Sequence, residues 1–465
     1  MVTAGHGRAR AQRLGLWMNG AFVGTWSIGA NGRDLLQYAE TWVDSNEGRP
    51  ISRSLGFLPG NAPHRGATVQ AYFENLLPDS KAIRERVARR YQLTTTDAFT
   101  LLSEVGRDCA GALQLLPDGM APDDIETIHA TRLTDTEIGD ILRGTADTAT
   151  TGRSPQDDVP DDFRISIAGA QEKTALLRHV RSGQWCMPHR ATPTTHILKL
   201  PIGMIGHVKM DWRDSIENEW LCAQIFAAYG LPVAACEPLT FDGMKVLSVE
   251  RFDRRWVGRN EHDDSPWLLR IPQEDMCQAT GTPPHLKYEN EGGPGIDAIM
   301  DVLGSSRDPA RDRRHFFLAQ LLFWMLRAPD GHAKNFSVFI RPGGKVELTP
   351  FYDVLSAYPI LGDGPSQTPA NRISMAMAVR GKNAHWKMVG IHLRHWLALA
   401  ARHGVTTEDG QPGKALIEAI VEMTPQVVDA MSTRLPPDFP SRVAERILHG
   451  LSAAADQLGA ELLND

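Results

Sequence analysis

The chain has 465 residues, a formal net charge of −7 at pH 7, 42% hydrophobic and 23% charged residues. These values are typical of a soluble globular protein with two or three domains, and the negative charge argues against a protein that coats nucleic acid. No apolar run is long enough to span a bilayer, and the basic first residues lack the apolar core of a signal peptide. The five cysteines include no CxxC pair, which argues against a disulfide framework or a zinc knuckle. We therefore expect a cytoplasmic protein without membrane association.

The N-terminal part begins with a predicted β-hairpin. Residues 14–26 form two apolar-rich runs around Asn19-Gly20, a dipeptide that strongly favours a two-residue hairpin turn. Further along, residues 145–162 are small, polar and acidic, which is the composition of a linker or mobile loop. We predict a first unit that ends near residue 130 and a second unit after the linker.

A loop of small residues follows the linker. Ala168, Gly169 and Ala170 lie between two β-like runs in RISIAGAQEKT, and small side chains allow backbone N–H groups to approach a phosphate. The segment matches neither of the two standard glycine-rich phosphate motifs. A glycine-containing hairpin is the alternative interpretation, and the residues alone leave both open.

Two strand patterns then place further candidates. Lys199 in THILKLP is positioned to meet phosphates as the strand lysine of protein kinases does, although a lysine with a buried stem and a solvated head fits equally. A second strand ends at Glu250 in VERFDRR, where backbone groups and Phe252 would hold an adenine ring. Between them, Asp214 and Glu217 have the spacing of a capping box before a predicted helix.

A helical pattern over residues 315–328 leads to the segment DGHAKN. Asp330 and Asn335 are followed by a predicted hairpin, residues 336–350, and by Asp353, which is the order in which kinase-type sites supply a base and two Mg²⁺ ligands. Carboxylate and amide oxygens suit Mg²⁺. Asp330-Gly331 as an ordinary turn is the alternative.

Taken together, FRISIAGAQEKTALL, TTHILKLPIG, VERFDRRW, IPQEDMCQ, GGPGI, DGHAKNFSVFI and LTPFYD resemble the HipA toxin kinases, from the WMNG hairpin to LPPDFP. The resemblance implies an α+β, two-lobed protein-kinase-like fold that is related to phosphoinositide kinases. It has an N-terminal α/β lobe and a helix-rich C-terminal lobe. We predict an N-terminal α/β subdomain at 1–130, the nucleotide-binding part of the N-lobe at 131–255 and the catalytic lobe at 256–465.

The resemblance also implies the role of each residue in a serine/threonine kinase site. Asp330 would be the catalytic base, Asn335 and Asp353 would hold Mg²⁺, and Lys199 would contact the phosphates of ATP. Ser166 matches the serine that such kinases autophosphorylate, and a phosphate there would repel the phosphate loop from ATP. The remaining predicted nucleotide contacts are Ala168, Gly169, Ala170, Gln171, Glu172, Lys173, Glu250, Arg251, Phe252, His332, Lys334 and Tyr352.

Partners follow from the same resemblance. HipA kinases phosphorylate glutamate–tRNA ligase, which inhibits translation and growth and promotes persistence, and a helix-turn-helix antitoxin neutralises them and represses the operon with them. In VRGKNAHWKM, Arg380, Lys382 and Lys387 resemble the segment that approaches operator DNA, although a solvated basic loop fits equally. A small-molecule kinase and a non-catalytic DNA-binding co-repressor are the alternative functions.

Overall fold

The structure is a computed structural model that describes residues 12–146, 171–205, 210–258 and 266–465. Antiparallel sheets and helices are both present, which agrees with the predicted α+β class. Within these ranges, no helix combines the length and the apolar character that crossing a bilayer requires. The unit boundaries near residues 130 and 255 stay predictions.

The N-terminal part contains a five-stranded antiparallel sheet with helices packed on it. The turn between its first two strands has positive φ at Asn19 (46°) and Gly20 (83°), as a type I′ turn requires, and this confirms the predicted hairpin. Trp26 stacks on Phe73 at a centroid distance of 3.8 Å within the apolar core of this part. The elements are β1 (Gln12–Met18), β2 (Ala21–Ile28), β3 (Asp34–Tyr38), α1 (Glu40–Val43), β4 (His64–Arg65), α2 (Ala67–Glu74), α3 (Lys81–Arg90), α4 (Ala98–Val105) and β5 (Leu113–Pro117). The strands follow the order β4-β3-β2-β1-β5.

A six-stranded antiparallel sheet carries the predicted strand lysine. Its elements and those next to it are β6 (Ala130–Arg132), α5 (Asp135–Ala146), β7 (Lys173–Arg178), β8 (Trp185–Pro188), β9 (His196–Lys199), β10 (Gly203–Ile205), β11 (Met210–Trp212), α6 (Ser215–Ala228), β12 (Cys236–Phe241) and β13 (Met244–Glu250). The sheet order is β12-β13-β9-β7-β8-β6, and β10 pairs with β11 separately. Strands β9 and β13 confirm the two predicted strands, the one that carries Lys199 and the one that ends at Glu250.

Helix α6 begins after Asp214 as predicted, but without the predicted capping box. The Asp214 side chain makes no cap hydrogen bond, and Glu217 instead pairs with Lys245 on β13. An ion pair with the neighbouring strand therefore replaces the reciprocal capping interaction. Leu221 and Phe226 of the same helix pack into the core of the C-terminal part, so α6 connects that core to the six-stranded sheet.

The C-terminal part is rich in helices, as predicted. Helix α9 starts earlier than the pattern over residues 315–328 indicated, because Asp308 caps it by accepting from Arg311 N and Pro309 suits the first turn. The hairpin before Asp353 is confirmed as β17 and β18, joined by a turn at Pro342–Gly344. The elements are β14 (Arg254–Val257), β15 (Trp267–Arg270), β16 (Gln273–Asp275), α7 (Met276–Thr280), α8 (Ile296–Leu303), α9 (Pro309–Met325), β17 (Ser337–Ile340), β18 (Val346–Leu348), β19 (Ser374–Arg380), β20 (Ala384–Lys387), α10 (Leu393–His403), α11 (Gly413–Arg434) and α12 (Ser441–Leu462).

Candidate active site

A cavity of about 340 Å³ is lined by residues from all three parts of the chain, and its size is that of a small-molecule site. The N-terminal part contributes Asn75, Leu76, Asp79 and Ala110, none of which was predicted. The cavity brings together most of the residues predicted for ATP binding and catalysis: Gln171, Lys173, Lys199, Glu250, Arg251, Phe252, Asp330, His332, Lys334, Asn335, Tyr352 and Asp353.

Lys199 joins two acidic side chains at this cavity. Its Nζ lies 2.5 Å from Glu219 Oε1 on α6 and 2.8 Å from Asp353 Oδ1. Burial would lower the pKa of Lys199, but the two carboxylates outweigh burial and raise that pKa above its ordinary value. Burial would likewise raise the pKa of Asp353, but Lys199 and Lys173 outweigh it and lower the pKa to about 2. Lys199 and Asp353 are therefore both charged at neutral pH.

Asp353 follows the β17–β18 hairpin in an uncommon backbone state. Its φ is +62°, in the left-handed region that aspartate tolerates better than most side chains. The hairpin returns the chain to the cavity that Asn335 also lines. The predicted convergence of Asn335 and Asp353 at one site is therefore present in the structure.

Lys173 stands directly opposite Lys199 in the register of β7 and β9. Side chains of such a cross-strand pair lie on the same face of the sheet, where like charges repel. Burial and then the charge of Lys199 lower the pKa of Lys173 to about 8. No carboxylate in the described part of the chain lies within ion-pair distance of Lys173, which lines the cavity. Two neighbouring lysine side chains thus line the same cavity, an arrangement that suits a polyanion.

The DGHAKN segment ends in a single 3₁₀ turn, Ala333–Asn335, and presents Asp330 to the cavity. Asn335 Nδ2 donates to the Asp330 carbonyl oxygen at 2.7 Å, which leaves the side-chain oxygen of Asn335 available to a cation. The Asp330 carboxylate is 52% exposed and accepts a hydrogen bond from the Tyr288 hydroxyl at 2.5 Å. His332 lies 3.9 Å from the same carboxylate, and burial lowers the pKa of His332. An accessible carboxylate of this kind is able to accept a proton from an incoming hydroxyl.

Aromatic rings form another wall near the end of β13. The ring of Phe252 lies 5.6 Å from that of Tyr352 and 5.8 Å from that of Phe339. The Tyr352 hydroxyl donates to the Lys334 carbonyl oxygen at 3.0 Å, which fixes the ring. Flat apolar faces beside exposed polar groups, such as the side chain of Glu250, suit a purine base.

The guanidinium of Arg251 belongs to a buried ion cluster. It lies 2.9 Å from Asp253 and 3.3 Å from Asp108, and Arg254 and Arg270 also bond to Asp108. Burial would raise the pKa of Asp108, but the three arginines hold that pKa well below its usual range. The cluster attaches the end of β13 to the N-terminal part. The Arg251 guanidinium therefore stabilises the fold and is not free to bind a nucleotide.

The ammonium group of Lys334 is likewise used in buried contacts within the protein. Its Nζ bonds to the carbonyl and side-chain oxygens of Asn75 at 3.0 and 2.8 Å and lies 3.2 Å from Asp275 Oδ2. Burial would lower the pKa of Lys334, but Asp275 and Asp79 outweigh it and raise the pKa. The ammonium therefore ties the DGHAKN segment to α2.

Other predicted residues lie elsewhere. Glu172 pairs with Arg86 of α3. Arg380 pairs with Glu289, whereas Lys382 is exposed in the turn between β19 and β20. Ser166, Ala168, Gly169 and Ala170 lie outside the described residues.

Sequence reasoning missed Glu219 and Tyr288. Glu219 follows Glu217 and Asn218, and nothing in ENEW distinguishes the carboxylate that meets Lys199 from the one that meets Lys245. Tyr288 lies in KYENEGGPG, 42 positions from Asp330, and no local pattern indicates their contact.

The donor set at the cavity fits Mg²⁺. Asp353 Oδ1 accepts from Lys199, which leaves Oδ2 for a cation, and Asn335 Nδ2 donates to a carbonyl oxygen, which leaves Asn335 Oδ1 for a cation. In the described ranges, no group of three or more His, Cys, Asp or Glu side chains is arranged to hold a metal. Asn335 and Asp353 alone would need phosphate oxygens and water to complete the six-oxygen shell of Mg²⁺.

Comparisons with known proteins give concordant matches. The domain description "HipA-like C-terminal domain" fits residues 165–431, more than half of the chain, and "HipA N-terminal domain" fits residues 14–116. The chain is 33% identical over 385 residues to a Sinorhizobium fredii protein named "Putative kinase Y4mE", covering 82% of this chain and 86% of that one. It is 24% identical over 360 residues to the serine/threonine-protein kinase toxin HipA of Shewanella oneidensis, covering 75% and 76%.

A solved structure shows the same fold. It is titled as the Shewanella oneidensis toxin–antitoxin system HipA, HipB and its operator DNA complex, and the TM-score is 0.74 at 21% identity over 96% of this chain and 97% of that one. The predicted α+β, two-lobed kinase-like fold is thereby confirmed. By its two domain matches and its relatives, this chain belongs to the HipA family.

Proposed function

We propose that this protein is an ATP- and Mg²⁺-dependent serine/threonine protein kinase that acts as the toxin of a toxin–antitoxin pair. One observation carries the proposal: Lys199 bridges Glu219 and Asp353 at the cavity that Asp330 and Asn335 also line. Kinases require a strand lysine paired with a helix glutamate and a metal-binding aspartate for phosphoryl transfer. The family membership supports the same reading, since a relative is named as a serine/threonine kinase toxin.

The residues that line the cavity have separate roles in ATP binding and phosphoryl transfer. Lys173 and Lys199 hold the ATP phosphates, and the Phe252 region holds the base. Asn335 and Asp353 would bind Mg²⁺, which neutralises phosphate charge when bound. Asp330 accepts the proton of the substrate hydroxyl while the hydroxyl oxygen bonds to the γ-phosphorus and ADP leaves.

The products of γ-labelled ATP in a cell lysate test this function. Wild-type protein should label a protein on serine, and the Asp330→Asn variant should not. Label on a metabolite alone would support a small-molecule kinase instead. Growth arrest or operator binding that survives replacement of both Asp330 and Asp353 would support a non-catalytic co-repressor.

Glutamate–tRNA ligase is the proposed substrate, on the strength of the family resemblance. Phosphorylation of this enzyme would block tRNA charging, arrest translation and growth, and promote persistence. Purified ligase incubated with ATP and this kinase should acquire one phosphoserine and lose aminoacylation activity. An unmodified ligase would remove it as the target and leave the kinase assignment standing.

Ser166 is the proposed site of autophosphorylation. Its phosphate would repel the phosphates of ATP from the neighbouring loop and inactivate the kinase. Ser166→Asp should lose ATP affinity and toxicity, whereas Ser166→Ala should retain both. Equal ATP affinity in the two variants would contradict this switch.

A helix-turn-helix antitoxin, similar to HipB, and operator DNA are the proposed partners. HipB and operator DNA are the other named components of the solved Shewanella complex that contains the matching fold. Lys382 is exposed, whereas Arg380 is held by Glu289, so Lys382 is the better candidate for a phosphate contact. Lys382→Ala should reduce the salt dependence of operator binding by the complex, and Lys345→Ala, another exposed turn lysine, should not.

A further inference from the structure

Three consecutive residues between α7 and α8 contact three different segments of the chain. Lys287 Nζ lies 2.9 Å from Asp79 Oδ2, which belongs to the N-terminal part. Glu289 pairs with Arg380 on β19. Tyr288, between them, reaches Asp330. The position of the tyrosine is therefore fixed on both sides by ion pairs.

The contact between Tyr288 and Asp330 is a hydrogen bond of defined direction. Burial and then the charge of Asp330 raise the pKa of Tyr288 above its ordinary value, so the phenol stays neutral and donates. Its hydroxyl lies 2.5 Å from Asp330 Oδ1. The tyrosine ring meets His332 edge to face, with centroids 5.0 Å apart, and Lys287 Nζ lies 5.5 Å from the tyrosine ring centroid. The ring is thus packed as well as bonded.

We propose that Tyr288 is a positioning residue for phosphoryl transfer, which holds Oδ1 of Asp330 and leaves Oδ2 to accept the proton of the acceptor hydroxyl. This inference rests on the proposed kinase function. Asp330 is 52% exposed, and a carboxylate with that much freedom spends less time in a reactive orientation unless one oxygen is fixed. In the transfer step the acceptor oxygen bonds to the γ-phosphorus, the bond from the γ-phosphorus to ADP breaks, and the proton of the acceptor hydroxyl moves to Asp330 Oδ2.

The test compares Tyr288→Phe with Tyr229→Phe. The buried Tyr229 hydroxyl lies 2.7 Å from the Thr424 hydroxyl, and Tyr229 does not line the cavity. Its loss therefore imitates the general cost of removing a tyrosine hydroxyl. Tyr288→Phe should lower kcat about 10- to 100-fold, as expected for the loss of a hydrogen bond to a charged group, while KM for ATP stays within about twofold. Tyr229→Phe should leave kcat unchanged.

A double-mutant cycle distinguishes positioning of Asp330 from a general structural effect. Asp330→Asn should transfer phosphate too slowly to label protein in a lysate, so its residual rate is measured in single turnovers with purified enzyme in large excess. That residual rate should change little when Tyr288→Phe is added, because the carboxylate that Tyr288 orients is absent. Full additivity of the two changes would overturn the inference, as would a Tyr288→Phe kcat equal to that of Tyr229→Phe. Wild-type protein that transfers no phosphate would instead overturn the proposed function on which the inference rests.

Discussion

Lys199 and Asp353 are 154 positions apart in the sequence, and their side chains meet at 2.8 Å. The lysine ends a strand of the six-stranded sheet, and the aspartate follows a hairpin of the helix-rich part. Their contact therefore joins the two lobes at the position proposed for the ATP phosphates. Glu219 holds the lysine from the other side, so the geometry of this position depends on two acidic partners.

Replacing Glu219 tests whether that geometry matters to catalysis. Glu219→Gln should lower kcat/KM about 10- to 100-fold, because Lys199 loses one of its two charged partners and no longer has a fixed position. Glu217→Gln is the matched control, since this glutamate lies on the same helix and pairs with Lys245. Steady-state kinetics of both variants measure this difference. Equal losses of kcat/KM in the two variants would contradict a specific role for Glu219.

Asp353 should govern the requirement for Mg²⁺. Asp353→Asn should raise the Mg²⁺ concentration for half-maximal activity about tenfold or more, because a carboxylate ligand becomes a neutral amide. Asp363→Asn, an exposed aspartate of the following segment, should leave the Mg²⁺ titration unchanged. An unchanged Mg²⁺ titration for Asp353→Asn would remove it from the metal site.

Replacement of Lys173 should affect ATP binding, whereas replacement of Lys334 should affect the stability of the fold. Lys173→Met should weaken ATP binding about tenfold or more without lowering thermal stability, because it removes a phosphate contact and also relieves repulsion with Lys199. Lys334→Met should lower stability by about 3 kcal/mol, because Asp275 loses a buried partner. Calorimetric titration with ATP and thermal unfolding separate the two effects. A large loss of stability in Lys173→Met would contradict this division.

Acid should unfold the protein partly through Asp108. Its pKa is lower in the folded state than in the unfolded chain, so its ionised form contributes stability above the unfolded pKa of about 4, and that stability is lost as the pH falls below this value. Asp108→Asn should lower the free energy of unfolding by about 3 to 5 kcal/mol at pH 7. The variant should also lose less of its remaining stability than the wild type as the pH falls. Denaturant unfolding from pH 7 to 3 measures both. The exposed Asp118→Asn is the control, and an unchanged acid profile for Asp108→Asn would contradict the prediction.

Local patterns predicted the elements that carry the site. The Asn19-Gly20 turn, the strand at Lys199 and the hairpin before Asp353 all follow from turn chemistry and alternation, which act over a few residues. The contacts of Glu219 depend on how α6 packs against β9 and β13, which no short pattern encodes.

The hydrogen bond from Lys334 to Asn75 was equally hard to predict, because it spans 259 positions and joins the N-terminal part to the DGHAKN segment. Sequence order indicated a nucleotide site, and the resemblance supplied roles. Tertiary packing decides which side chains remain free to bind a ligand.

The most direct test of the central claim is quantitative phosphoproteomics of cells after induction of the wild-type protein or the Asp330→Asn variant. The account predicts that a protein serine becomes phosphorylated within minutes of wild-type induction, before growth stops, and that neither event occurs with the variant. The same phosphoserine and the same growth arrest with Asp330→Asn would contradict it.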